Sequence, residues 1–257
     1  MSGEHPPTVL TPLYRLLEGH HLIPGFWQNH PQGERLFEVF GFAFLTALFL
    51  VVSCWIISRS LKRIPGRLQS ILEVSVESLA GMVESLIGPG GRKYLPLLGS
   101  LFLFIFCLNL MGLIPGFMSP TANWNCNIAL ALVVIVFVQA MAIRANGLGG
   151  YLKHFAGSPT SVLMWCLAPM MFPLHLLGEL VKPVSLSLRL FGNIYGEDTI
   201  ILSMVDISKT ATIGGVPLPL PIPMMAFAIF TSFLQAFIFT ALSCIYIMIM
   251  TAHTEEH

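Results

Sequence analysis

From Ser158 to Val205 the chain is almost wholly apolar, yet His175, Glu179, Lys182, Arg189, Glu197 and Asp198 stand inside that run. Placing an ionisable group in hydrocarbon costs at least about 2.5 kcal/mol, so each of them reads as functional by default. Stepping about 100° per residue from Arg189 puts His175 at about 40°, Glu179 at about 80°, Lys182 at about 20°, Ser185 at about −40°, Asn193 at about 40°, Gly196 at about −20° and Glu197 at about 80°. One stripe about 120° wide carries them all. Asp198, at about 180°, is the exception; the two neighbouring acids point to different surroundings, and Asp198 is the one expected to face the last hydrophobic unit.

A guanidinium stays protonated at physiological pH, which makes Arg189 a poor proton carrier and a good fixed positive field. Carboxylates and histidines do exchange protons, as they do along the relays of proton pumps. A fixed charge among exchangeable ones suits a device in which protons arrive on one side, leave on the other and do not run straight through. Plainer readings compete. Lys182 could snorkel to a membrane surface, and His175 and Glu179, one helical turn apart, could simply pair. Neither Glu179 nor Glu197 has the i±3 or i±4 spacing that favours a bridge to Arg189, so its partner is expected on another element.

The elements that hold this stripe must lie in a membrane. Of the 257 residues 55% are hydrophobic and 10% charged, against about 25% charged in soluble domains, and mean hydropathy is +0.78. Five apolar runs, near 38–58, 96–117, 127–144, 160–205 and 221–252, are long enough to cross a core of about 30 Å. They predict an all-α integral membrane protein with a membrane domain over 37–257 and an external tail over 1–36. The fourth run, if helical, extends about 70 Å at about 1.5 Å per residue. It must kink at Pro169, Pro173 or Pro183, double back, or lie strongly inclined. The fifth is over-long too, and Gly214, Gly215 and Pro217, Pro219, Pro221 and Pro223 predict a stiff turn between the two.

With the N-terminus outside, Arg59, Lys62, Arg63, Arg67, Arg92, Lys93, Arg144 and Lys153 fall on the cytoplasmic side against Arg15, Arg35 and Lys209 outside, as the positive-inside rule requires. That places the C-terminus in the cytoplasm. Residues 67–88 read as an amphipathic surface helix or hairpin: Glu73, Glu77 and Glu84 share one face, and Leu72, Val76, Leu79, Val83 and Leu86 line another. Residues 115–126 read as a short external turn, and 144–158, with Gly147, Gly149 and Gly150, as a loop. Cys54, Cys107, Cys126, Cys166 and Cys244 have no metal or disulfide spacing, and His5, His20, His21 and His30 have no ligand spacing. No signal peptide is legible in the first 36 residues. Zero formal net charge gives no reason to expect a nucleic-acid partner. No Walker-type loop is present, so no nucleotide site, cofactor or active site of the chain's own is expected.

The runs KPVSLSLRLFGNIYGED (182–198) and PIPMMAFAIFTSFLQAFIFTALSCIYI (221–247) resemble the paired long helices of subunit a of F-type ATP synthases. GGRKYLPLLGSLFLFIFCLNLMGLIPG (90–116) and SPTANWNCNIALAL (119–132) are similar to its earlier spans, so that the likeness covers about 37–257. The resemblance implies a stator that passes protons through two aqueous half-channels to and from a rotating ring of c subunits, with peripheral-stalk b subunits as further partners and a bacterial inner membrane, or an organellar one, as its place. It makes Arg189 the essential arginine and Gln235 the glutamine beside it on the last helix. Asp198 matches the usual outer half-channel acid, with Glu197, Asn193, His175, Glu179, Ser185 and Lys182 along the path. His175 stands where relatives often have a carboxylate, and Ala228 where certain bacterial members have histidine. The rival reading is a secondary transporter whose intramembrane Arg binds an anionic substrate; it favours internal repeats, and none is visible.

Overall fold

The computed structural model describes residues 8–19, 33–62, 66–88, 90–114, 116–155, 162–210, 212–213, 216–217 and 219–252. Expectations for His5, His20, His21 and His30 fall outside them. Among the described residues seven α-helices follow one another: α1 (Thr11–Gly19), α2 (Gly33–Ser60), α3 (Arg67–Ile87), α4 (Leu95–Met111), α5 (Trp124–Phe155), α6 (Val162–Thr210) and α7 (Pro221–Ala252). Stretches Gly33–Ser60, Gly91–Met111, Trp124–Arg144 and Pro221–Ile249 are long and apolar enough to cross a membrane. The fifth expected unit is α6, which carries the ionisable groups. The chain is an all-α membrane protein apart from two short strands, β1 (Thr212–Ile213) and β2 (Val216–Pro217), paired antiparallel with Thr212 opposite Pro217. This ribbon lies where a stiff turn was expected; Gly214 and Gly215 fall outside the described residues, and Pro221 and Pro223 belong to the first turn of α7.

α6 runs for 49 residues as one helix with Pro169, Pro173 and Pro183 inside it, about 73 Å at about 1.5 Å per residue. Doubling back is therefore excluded. Each proline removes one backbone donor, and the buried residues of α6 that are described, Leu186 to Glu197, follow all three. α5 packs along α6, α4 along α7, and α6 along α7. Their shared core contains Leu98, Ile105, Leu108, Ala131, Val134, Leu190, Ile194, Phe239 and Ile247. Side chains of this kind bury at roughly 25 cal/mol per Å² of apolar area.

Two expected loops turn out differently. Residues 144–158 are not simply a loop: α5 continues to Phe155 across a break at Gly147, whose φ of 66° and ψ of 169° lie outside helical values. Glycine tolerates that positive φ because no Cβ meets the backbone. Residues 119–123, within the connection expected as an external turn over 115–126, are buried and plug the space between α4 and α5. Thr121 donates its hydroxyl hydrogen to Asn109 Oδ1 at 2.7 Å, and Asn127 Nδ2 donates to the Thr121 carbonyl at 2.7 Å. Gly112 is what lets the plug seat, since a Cβ there would lie 2.8 Å from the Ser119 Cβ.

The N-terminal tail is likewise docked onto the first span. Glu38, 6% exposed, accepts hydrogen bonds from the hydroxyls of Thr8 and Thr11, both at 2.5 Å. Tyr14 packs on Phe37 with ring centroids 5.4 Å apart, and the Val9 amide donates to the Gly116 carbonyl at 3.0 Å. In α3 the expected apolar face divides. Val83 is buried and Leu79 and Leu86 are partly so, whereas Leu72 and Val76 stay exposed beside the α2 end of the helix.

Candidate functional site

Helices α6 and α7 run antiparallel in a register fixed by side chains. The Thr231 hydroxyl donates to Glu197 Oε2. Four residues back on α6 and four forward on α7, Asn193 Nδ2 donates to Gln235 Oε1 at 2.7 Å. Eleven back and eleven forward from Asn193 and Gln235, the Lys182 ammonium lies 5.1 Å from the Tyr246 ring centroid, a cation–π distance. The same register sets Arg189 level with the buried Phe239.

The buried face of α6 decides how each polar group is used. Leu186, Ser187, Leu190, Ile194 and Glu197 are buried, and by helical phase they centre about 100° from Arg189. Arg189 therefore stands off one edge of the contact. It is exposed and makes no ion pair among the described residues. Asp198 lies past the other edge and is half-buried. The bond to the last helix is made by Glu197 and not by Asp198, the acid expected to face it: about 80° falls inside the buried arc and about 180° at its margin.

Glu179 closes the far end of the stripe. One carboxylate oxygen takes the Lys182 ammonium in an i, i+3 ion pair, and the other accepts from Gln139 Nε2 of α5 at 3.0 Å. Lys182 is thus held by a carboxylate and an aromatic ring, not extended to a surface. The suggested pairing of Glu179 with His175 gives way to these partners; His175 is exposed, with Nδ1 3.1 Å from the Met171 carbonyl. Ser185 is exposed on the same side as Arg189. Gln235, 2% exposed, is the best buried of the expected polar residues.

Three participants escaped sequence reasoning: Thr231, Gln139 and Tyr246. All are uncharged, so the search for ionisable groups in apolar runs passes over them. Thr231 had a signal, since it precedes Gln235 by one helical turn. Ser232, buried beside it with no hydrogen-bond partner for its hydroxyl among the described residues, had none. Ala228 is fully buried, and its carbonyl lies 3.0 Å from the Thr231 hydroxyl oxygen. No group of three or more metal-type ligands occurs among the described residues.

The fold and site together define a polytopic helical membrane protein whose last two helices hold a line of amide, hydroxyl and carboxylate groups next to an arginine with no ion pair among the described residues. Residues 40–248 match the family model described as ATP synthase A chain. The chain belongs to that family. It is 41% identical over 219 residues to ATP synthase subunit a of Protochlamydia amoebophila, covering 83% of this chain and 80% of the relative. It is 40% identical over 228 residues to ATP synthase subunit a 1 of Syntrophotalea carbinolica, covering 86% and 92%. With ATP synthase subunit a of Geobacter sulfurreducens it shares 35% identity over 243 residues, 95% of this chain and 96% of the relative.

Proposed function

We propose that the chain is the proton-translocating stator subunit of a rotary ATP synthase, delivering protons to and from a ring of c subunits through two half-channels. The observation that carries this reading is the α6–α7 register. It pairs Glu197 with Thr231 and Asn193 with Gln235, and it leaves the Arg189 guanidinium on the uncovered side of α6. An exposed, permanently charged group on a membrane helix calls for a carboxylate from another chain. A ring subunit with one carboxylate at mid-membrane supplies it.

Protons enter near Asp198 and Glu197 and pass Thr231, Asn193 and Gln235 to reach the ring carboxylate. Once neutralised, that carboxylate can turn into lipid, since protonation removes most of its burial cost. After nearly a full rotation it releases its proton toward His175, Glu179 and Lys182. Arg189 favours the ionised carboxylate between the two paths and blocks direct passage. Each charge moved yields about 2.3 kcal/mol per 100 mV of membrane potential. In this reading Asp198 and Glu197 open to the outer side, the C-terminus is cytoplasmic in a bacterial inner membrane, and b subunits bind peripherally. A cysteine at Gly192, one turn from Arg189 on the uncovered side, should cross-link to a ring subunit in the assembled complex. Cross-linking only to other chains, or to none, would refute this docking.

A further inference from the structure

A cavity of about 460 Å³ opens where the end of α2, the start of α3 and the turn at Arg92 meet. It lies outside the path described above and has a composition of its own. Arg92, Glu73 and Glu77 line it together with Ile57, Leu72 and Val76. Arg92 forms no ion pair with either carboxylate. Gln69 orients one wall, donating from Nε2 to Glu73 Oε1 at 2.8 Å while accepting from the Lys62 amide at 3.1 Å.

The level of this cavity is marked independently. Arg59 stacks over the Trp55 ring at 3.9 Å and Lys93 over the Tyr94 ring at 4.9 Å. Aromatic rings paired with basic groups at the end of an apolar span are anchors of the headgroup region. The cavity therefore opens at headgroup depth, with apolar residues of α2 running from it into the hydrocarbon.

We propose that this cavity binds one zwitterionic aminophospholipid, with its phosphate on Arg92, its primary ammonium between Glu73 and Glu77, and its first acyl methylenes against Ile57, Leu72 and Val76. Charge selects this class. Among the lining residues an anionic headgroup meets two carboxylates against one cation, Arg59 and Lys93 being turned onto their own aromatic rings, and a basic partner helix meets Arg92. A headgroup carrying both charges satisfies both walls. A primary ammonium donates three hydrogen bonds, whereas a quaternary one donates none, so ethanolamine is favoured over choline.

Native mass spectrometry tests this on the full chain, purified in mild detergent with the subunits that accompany it. The complex is incubated with equimolar phosphatidylethanolamine, phosphatidylcholine and phosphatidylglycerol of identical acyl chains. One phosphatidylethanolamine should be retained preferentially, and water-soluble glycerophosphoethanolamine should not displace it. Arg92→Ala, and separately Glu73→Gln with Glu77→Gln, should each lower the preference by up to about fivefold, the range of exposed ion pairs. All three side chains are exposed, so the variants should melt as the parent does. Retention led by phosphatidylglycerol, or a phosphatidylethanolamine preference unchanged in both variants, overturns the proposal. So does a photo-crosslinker at Leu72 that captures a protein subunit instead of lipid.

Discussion

Glu197 and Asp198 are adjacent in sequence and different in surroundings. Glu197 is 9% exposed and takes the Thr231 hydroxyl, while Asp198 sits half-buried off the α7 contact. Directly bonded groups couple energetically, and separated ones add. Proton-driven ATP synthesis by vesicles carrying Thr231→Val, Glu197→Gln and the double variant should therefore show a coupling of about 0.5 kcal/mol or more in barrier height. The cycle of Thr231→Val with Asp198→Asn should be additive within about 0.5 kcal/mol. The opposite pattern would mean that the α6–α7 register differs from the one described. Residue types alone located the ionisable stripe, because charge in an apolar run is a costly feature that sequence cannot hide. They gave the side facing the last helix to Asp198, whereas the bond to α7 is made by Glu197, because a difference of about 100° between neighbours gains meaning only once the buried arc is known.

At the scale of elements, α6 has one face packed and one left uncovered beside Arg189. A Cβ added at Gly192 would meet nothing within 4 Å, so Gly192→Ala should leave the isolated chain's stability unchanged or raise it by up to about 1 kcal/mol through helix propensity. Gly192→Leu should also fold, yet should impair coupled synthesis severalfold if a rotating partner passes that face. Thermal stability and synthesis rate measured on the same preparations separate the two effects. Normal synthesis with leucine at this position would show that nothing packs closely there.

The length of α6 was legible because 48 residues with almost no surface-type sequence have no other outlet than a long helix, a hairpin or a kink. Its continuity was not, since three internal prolines leave a kink and a continuous helix equally open until the helix itself is seen. The loop over 144–158 failed for a related reason. Gly147 does break the helix, but the flanking residues resume helical geometry after one non-helical position. Residues 115–126 read as a plain turn because turn-forming residue types also suit a buried plug at 119–123, which gives Asn109 Oδ1 a donor and Asn127 Nδ2 an acceptor.

At the scale of the molecule, the N-terminal segment and the bundle are joined by one buried carboxylate. Glu38→Leu removes the acceptor from two hydroxyls in a poorly hydrated site, which costs about 1–3 kcal/mol. Amide exchange over residues 11–19 should accelerate accordingly, whereas Glu38→Gln, which keeps a carbonyl acceptor, should exchange more slowly than Glu38→Leu. Equal exchange in parent and Glu38→Leu would mean that Tyr14 and the Val9–Gly116 bond suffice to hold α1.

In the proposed mechanism the helices present Arg189 unpaired to the ring. Its removal is the most direct test: Arg189→Ala in the reconstituted complex, with proton-driven ATP synthesis and passive proton permeability measured on the same vesicles. Synthesis should be abolished and permeability should rise, because the charge separating the two paths is gone while the packed faces of α6 and α7 are untouched. Arg189→Lys should also fail, since an ammonium is more strongly hydrated and lacks the planar fork that a guanidinium offers a carboxylate. ATP synthesis near the parent rate in Arg189→Ala would contradict the account.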